Sequence, residues 1–210
     1  MTHCIVNVGV GGWYAKGTAR LRRSLIEHGY PGAILTWEDS LPPGSPSHQD
    51  NPYAMKVYAI EHALEQGYRQ VLWLDSSVWC IRHPKFHMQE IDLKGYYLFH
   101  SGFNCGQWTN QACLDHFDVT REQADSIPML ASGVLGVNFD TEIGREFFAR
   151  WKNAMLAGVF RGSWSDHRHD QSAASLIAHQ LGMTQHPHQV YEYYYQPTMP
   201  ETAEFALMGM

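Results

Sequence analysis

Apolar positions along the chain change period repeatedly, from short continuous runs to three- and four-residue spacing and back, and this alternation predicts the elements. Cys4-Ile5-Val6-Asn7-Val8-Gly9-Val10 is a short β-branched run that stops at Gly11-Gly12, the pattern of a buried first strand ending in a tight loop. Leu21, Leu25 and Ile26 then mark the apolar face of a helix that carries Arg20, Arg22 and Arg23 on its polar side and ends at Gly29. Ala33-Ile34-Leu35-Thr36-Trp37 predicts a second strand, and residues 39–52, dense in Pro, Gly, Ser and Asn, predict a loop.

Tyr53, Val57, Ile60 and Leu64 recur at helical spacing, so an amphipathic helix is expected over 52–67, opened by Pro52 and closed by Gly67. It leads into Val71-Leu72-Trp73-Leu74, a run apolar at every position as a central parallel strand should be, which breaks at Asp75-Ser76-Ser77. Further strands are expected over 95–99 and 133–137, a short helix over 121–124, and helices over 142–156 and 171–181. A C-terminal tail over 187–210 contains an expected edge strand at 190–195. The pattern predicts a single α/β domain over 1–210, with a mostly parallel central sheet flanked by helices. Open sheets of this kind bind ligands outside the carboxyl ends of their strands, so Asp75 falls where chemistry is expected on topology alone.

Composition narrows the function classes. A formal net charge of −6 argues against a general nucleic-acid coat, which needs a surplus of Lys and Arg. Cys4, Cys80, Cys105 and Cys113 form no CxxC pair, and Cys4 sits in an apolar run, so a reducing, cytoplasmic setting in a bacterial or virus-infected cell is expected. The strand-like opening predicts no cleaved leader, and no apolar stretch approaches the roughly 18–20 residues that span a bilayer. No membrane partner is therefore expected, and the chain is expected to be a monomer or homodimer.

Several segments, in order along residues 4–182, resemble GT-A glycosyltransferases, glycogenin and its relatives in particular. Val71 to Asp75 with Ser76-Ser77 resembles the strand that ends in that family's DxD motif, and Ala131-Ser132-Gly133-Val134 resembles its N-[ST]-G segment. Asp170-Gln171-Ser172 resembles its D-Q segment, Lys56 matches a lysine on the preceding helix, and the first strand with Tyr14 resembles the nucleotide-binding start. The chain is also similar to small viral or bacterial glycosyltransferase-like proteins that share PYAxKxYAI, VLWLDSSVW and HRHDQS. Departures from glycogenin are Ser77 at the second Asp, Ser132 near the place of an Asn, and no C-terminal HxxGxxKPW segment. The resemblance implies a GT-A fold that moves a sugar from a nucleotide-sugar, expected to be a UDP-sugar, to a hydroxyl acceptor. It also implies that Val8, Gly9, Tyr14, Lys56, Asp75, Ser76, Ser132, Gly133 and Gln171 surround the donor.

Such chemistry must stabilise the departing diphosphate, which a divalent cation does as a Lewis acid. The expected ligands of Mn²⁺ or Mg²⁺ are Asp75, Ser77 through a hydroxyl or water, and His186 or His188, imidazole favouring Mn²⁺; the alternative is that the late histidines form a surface turn. Lys56 is expected as a point cation near the phosphates or, alternatively, as a solvated helix lysine. Arg20, Arg22 and Arg23 read as a solvated face. Residues 165–171 gather two carboxylates and two imidazoles before a helix. Asp170 and Asp166 are the candidate general bases or acceptor-positioning groups, with an N-cap as the alternative for Asp170, and His167 and His169 are expected to face opposite ways if the segment is extended. Asp39 and Glu38 are weaker candidates for ribose or base contact.

Three rivals stand beside this reading. One is a nucleotide-sugar-binding protein without transfer activity, which donor hydrolysis would separate. Another is a phage-type enzyme acting on hydroxymethylated pyrimidines of DNA, with Phe103, Trp108 and Trp164 stacking a presented base, a reading the acidic charge does not favour. The third is a nucleotidyltransferase, whose Gly-rich basic opening is absent here.

Overall fold

The computed structural model describes residues 3–187 and 203–207. Its central sheet has the order β2-β1-β3-β8-β5, formed by β1 (His3–Gly9), β2 (Ala33–Glu38), β3 (Gln70–Leu74), β5 (Tyr96–Tyr97) and β8 (Val134–Asn138). β1 runs parallel to both β2 and β3, whereas β8 is antiparallel to β3 and to β5, so four strands share one direction and β8 opposes them. Because side chains alternate along a strand, β3 feeds two cores. Val71 and Trp73 pack with Val57 and Ile60 of α2 (Ala54–Glu65) and with Phe147 and Trp151 of α7 (Glu142–Leu156). Leu72 and Leu74 pack on the other side with Leu21 and Leu25 of α1 (Gly12–Glu27) and Met88 and Ile91 of α3 (Lys85–Lys94). Helices on both faces are what an apolar central strand requires.

Outside the sheet, β4 (Val78–Cys80) pairs with β9 (Phe205–Leu207), and β6 (His100–Asn104) with β7 (Pro128–Leu130). The short helices α4 (Cys105–Trp108), α5 (Gln111–His116) and α6 (Arg121–Ser126) fill the connection between β6 and β7, and α8 (His169–Gln180) follows α7. Glu204 ties the C-terminal strand to α3. Its carboxylate accepts the His87 N–H at 3.1 Å and the His87 Nδ1 at 2.6 Å, and also the Phe86 N–H, which satisfies orphan donors of the helix start.

The main elements agree with the sequence pattern, with instructive differences. α7 spans the expected 142–156, opened by the Thr141 side chain accepting from Gly144 N–H at 3.2 Å. α2 starts at Ala54 instead of Pro52, because Tyr53 takes a left-handed conformation with φ of 60°. Ile26, expected on the apolar face of α1, is 57% exposed, since Leu21 and Leu25 alone fill that contact. All four cysteines are buried free thiols. The expected strand at 190–195 and the candidate ligand His188 lie outside the described residues. No helix among the described residues is long and apolar enough to cross a membrane.

Candidate active site

The carboxyl ends of β1, β2 and β3 meet the amino end of β8 at one edge of the sheet. Antiparallel pairing of β3 with β8 sets Asp75 beside Ser132-Gly133, and the Asp75 N–H continues the ladder by donating to the Gly133 carbonyl at 2.8 Å. A side chain at position 133 would meet Asp75 Oδ2 at 3.2 Å, so glycine there leaves room for the carboxylate. α2 brings Lys56 beneath this corner, and the first turn of α8 brings Asp170.

Lys56 is the centre of the cluster. Its Nζ lies 3.2 Å from Asp75 Oδ1 and 3.1 Å from Asp170 Oδ2, and it donates to the Ser132 carbonyl at 3.0 Å and the Ser132 hydroxyl at 3.1 Å. The Tyr53 and Trp73 rings flank the ammonium at 5.2 and 5.4 Å, and the Trp73 indole N–H donates to Asp75 Oδ1 at 2.8 Å. Burial by itself would lower the Lys56 pKa, but the carboxylates of Asp170 and Asp75 outweigh it and push it up. Burial raises the Asp170 pKa, against the pull of Lys56. Lys56 is 1% exposed and Asp170 2%, whereas the Asp75 side chain retains 35%, so Asp75 is the face that the cluster turns to solvent. One ammonium thus faces two carboxyl groups.

Lys56 is thus neither a solvated helix lysine nor a cation open to an incoming phosphate; it is buried and orients two carboxylates. Asp170 is not the N-cap of α8, a position taken by Arg168; its side chain turns to Lys56 while its carbonyl accepts from the Trp151 indole at 3.0 Å. A carboxylate in the first turn of a helix also suits the dipole there. His169 holds a left-handed conformation with φ of 49°, locked by its Nδ1 contact with the Phe160 carbonyl at 2.8 Å. His167 reaches the Val159 carbonyl at 2.9 Å, so both imidazoles are buried against the segment after α7 because the backbone turns there instead of extending.

The turn after β3 is held by α1. Arg20 donates to the carbonyls of Ser76 and Ser77 at 3.3 and 3.1 Å and lies over the Trp79 ring, so it is a support for the turn, not part of a solvated face. A side chain at Gly17 would come within 2.1 Å of the Ser76 carbonyl, which fixes how closely α1 approaches. Asn7 on β1 donates to the Leu74 carbonyl at 2.6 Å. Sequence reasoning missed Arg20, Asn7 and Gly17; the signal available was the spacing of Gly17 and Arg20, three residues apart on one helix face.

At the end of β1, Val8 is a core side chain, and Gly9 lets α1 pack closely, since a Cβ there would meet the Tyr14 carbonyl at 2.3 Å. Tyr14 and Trp13 remain 47% and 79% exposed at the start of α1. The Gly11 N–H donates to Asp39 at 2.9 Å, bringing the ends of β1 and β2 together. Other expected residues are not gathered here. Asp166 is exposed on the turn that starts at Ser163, its N–H donating to the Ser163 carbonyl at 3.1 Å, and Gln171 is half-buried, its N–H donating to the Arg168 carbonyl. His186 stands at the β5 edge, where Nε2 meets Glu90 at 2.9 Å and the ring stacks on Tyr97 at 5.0 Å. Asp75 and His186 are therefore committed to different neighbours, and the expected set of Asp75, Ser77 and His186 is not assembled. Among the described residues, no three His, Cys, Asp or Glu side chains are placed to hold a metal ion. The donor set fits a divalent cation only as one shared with a ligand's own oxygens, Asp75 being the partly exposed carboxylate.

No family model matches the sequence, and no curated protein matches it. Solved structures do match. A glycosyltransferase involved in the glycosylation of the major capsid of PBCV-1 aligns with a TM-score of 0.56 at 18% identity, over 99% of this chain and 93% of that one. The bifunctional glycosyltransferase WbbM, in its apo structure, aligns with a TM-score of 0.57 at 11% identity, over 98% of this chain and 45% of WbbM. The chain therefore spans less than half the length of WbbM. Likeness at this level of identity establishes the fold: a glycosyltransferase-like α/β fold with a mostly parallel sheet, as the GT-A resemblance implied.

Proposed function

We propose that the protein is a glycosyltransferase that takes a sugar from a nucleotide-sugar, a UDP-sugar in the first instance, and that its donor site is the corner around Asp75. The observation that carries this reading is the buried Lys56 with Asp75, Asp170 and Ser132 closed around it at a strand-end corner. A purely structural ion pair gains little over apolar packing, because desolvation offsets most of its attraction, so its place at the sheet's ligand-binding edge favours a functional role. The base and ribose would lie by Tyr14 and the end of β1, and the diphosphate by the Asp75-Ser76-Ser77 turn that Arg20 holds. Asp75 would hold Mn²⁺ or Mg²⁺, which would supply positive charge to offset that developing on the leaving phosphate.

The chain's own residues do the rest. Lys56 holds both carboxyl groups in place, so that Asp75 presents an oxygen to the donor without reorganising. Asp170, with a pKa raised by burial, is the better placed of the two candidate bases to draw a proton from the acceptor hydroxyl; Asp166 stands outside the cluster. The test is release of nucleoside diphosphate from a panel of UDP- and GDP-sugars, with and without Mn²⁺, by wild type and Asp75→Asn. Release from one donor, lost in the variant, supports the reading; binding without release in every case points to a nucleotide-sugar-binding protein, and silence with no binding sinks both.

A further inference from the structure

Arg168 takes no part in the Lys56 cluster, yet it is held as firmly. Its guanidinium carbon sits 3.7 Å from the centre of the Trp108 indole and 4.2 Å from that of Trp164, and a terminal nitrogen donates to the Trp164 carbonyl. Its backbone N–H donates to the Trp108 carbonyl at 3.0 Å and to the Ser172 hydroxyl at 3.1 Å, and Ser172 in turn donates to the Trp108 carbonyl at 2.7 Å. The side chain is anchored at both ends. The two indoles hold the guanidinium in place, and with one terminal nitrogen committed to the Trp164 carbonyl its remaining N–H groups are left for other partners. Among the described residues no carboxylate pairs with Arg168, even though the chain carries a net charge of −6. A cation already ordered and not neutralised by its own protein loses little freedom on taking up an anion.

Its position links it to the candidate donor site. Trp164, 55% exposed, stacks near His169 at 5.6 Å and lies 6.1 Å from Tyr53, whose ring is 5.2 Å from Lys56 Nζ. A wall of aromatic rings therefore runs from Arg168 to the cluster that contains Asp75. A half-exposed indole offers apolar surface against which the C–H groups of a sugar can pack, and a guanidinium fork suits a carboxylate or phosphate. We propose that Arg168 and Trp164 form the acceptor subsite, and that the acceptor is an anionic sugar whose oxyanion is held by Arg168 while its ring packs against the exposed part of Trp164. This rests on the glycosyltransferase reading and adds to it the chemical class of the acceptor.

The test is binding. Tryptophan fluorescence is titrated with glucuronate, glucose 6-phosphate and glucose, in wild type, Arg168→Gln and Arg168→Lys. At least one anionic sugar is expected to bind roughly ten- to hundredfold more tightly than glucose, from the added strength of charge-assisted hydrogen bonds. Which of the two binds better separates a carboxylate from a phosphate acceptor. The glutamine variant is expected to erase the preference, and the lysine variant, a point charge without the fork, to keep only part of it. Equal binding of the three sugars, no binding, or a preference that survives Arg168→Gln overturns the inference; if Arg168→Gln does not fold, the wild-type preference and the lysine variant decide. Thermal stabilisation of wild type by UDP is read in parallel. A UDP shift without anion preference leaves the donor reading standing and removes the acceptor subsite, whereas anion preference without a UDP shift leaves an anionic-sugar site but removes the donor reading and with it the role of acceptor subsite.

Discussion

Lys56 satisfies two carboxylates at once, and neither is comfortable without it. Asp170 is 2% exposed, so removing the ammonium leaves a buried charge with no counter-ion. Lys56→Met is therefore expected to cost about 3–5 kcal/mol of stability, and adding Asp170→Asn to restore part of it, because an amide no longer needs a cation. Chemical denaturation of the two single variants and the double variant checks this; a double variant as unstable as the sum of the singles would show that the pair is not coupled. These three residues were legible in the sequence because each stands at a motif position: the end of an apolar strand, the helix before it, the start of a late helix. What the sequence did not reveal was that Lys56 is buried, since burial depends on Ser132 and Asp170 closing over it from more than 70 residues away. His186 misled for the converse reason. Imidazole is a good ligand anywhere, and only the pairing of residues 98–100 with His186 places it against Glu90 and Tyr97.

At the scale of elements, α1 is the brace for the turn that carries Asp75. Gly17→Ala would drive a methyl into the Ser76 carbonyl, which is backbone and has no easy retreat, whereas Gly12 faces open space. Gly17→Ala is expected to lower stability and weaken nucleotide binding together. Gly12→Ala is expected to leave stability unchanged or raise it by up to about 1 kcal/mol, following helix propensity. Thermal melts with and without UDP measure both, and a Gly17→Ala protein with wild-type melting and UDP response would contradict the brace. α1, α2 and α7 were readable because each shows helical spacing of its apolar residues, and β3 because it is one continuous apolar run. α3 was not: of its apolar residues Met88 and Ile91 are buried, but Leu93 is 81% exposed and the buried His87 is polar, so no stripe shows. Its start depends on Glu204, over a hundred residues later, a tie that no local window contains. β4 and β9 were missed likewise, three-residue strands that exist only through each other.

For the whole molecule, the histidines set the acid limit of stability. Burial is the leading cause holding the pKa of His48, His87, His167 and His186 below the ordinary 6.5. In the folded chain these rings stay neutral at pH values where the unfolded chain takes up protons, so stability is full above 6.5 and is lost as pH falls below it. The urea midpoint is expected to be lower at about pH 5.5 than at about pH 7.5; an equal or higher midpoint at the lower pH would contradict the neutral state of these rings in the folded chain. The global architecture was legible because strands and helices alternate along most of the chain, while the reversed direction of β8 was not, since a five-residue apolar strand reads the same in either sense.

The central claim is that a nucleotide-sugar seats at the corner formed by Asp75, Lys56, Asp170 and the start of α1. The most direct measurement is an amide NMR titration of the labelled protein with UDP in the presence of Mg²⁺. The account predicts shifts concentrated at residues 9–17, 75–77 and 132–133, and their loss in Asp75→Asn. Shifts centred elsewhere, or none at millimolar UDP, would contradict it.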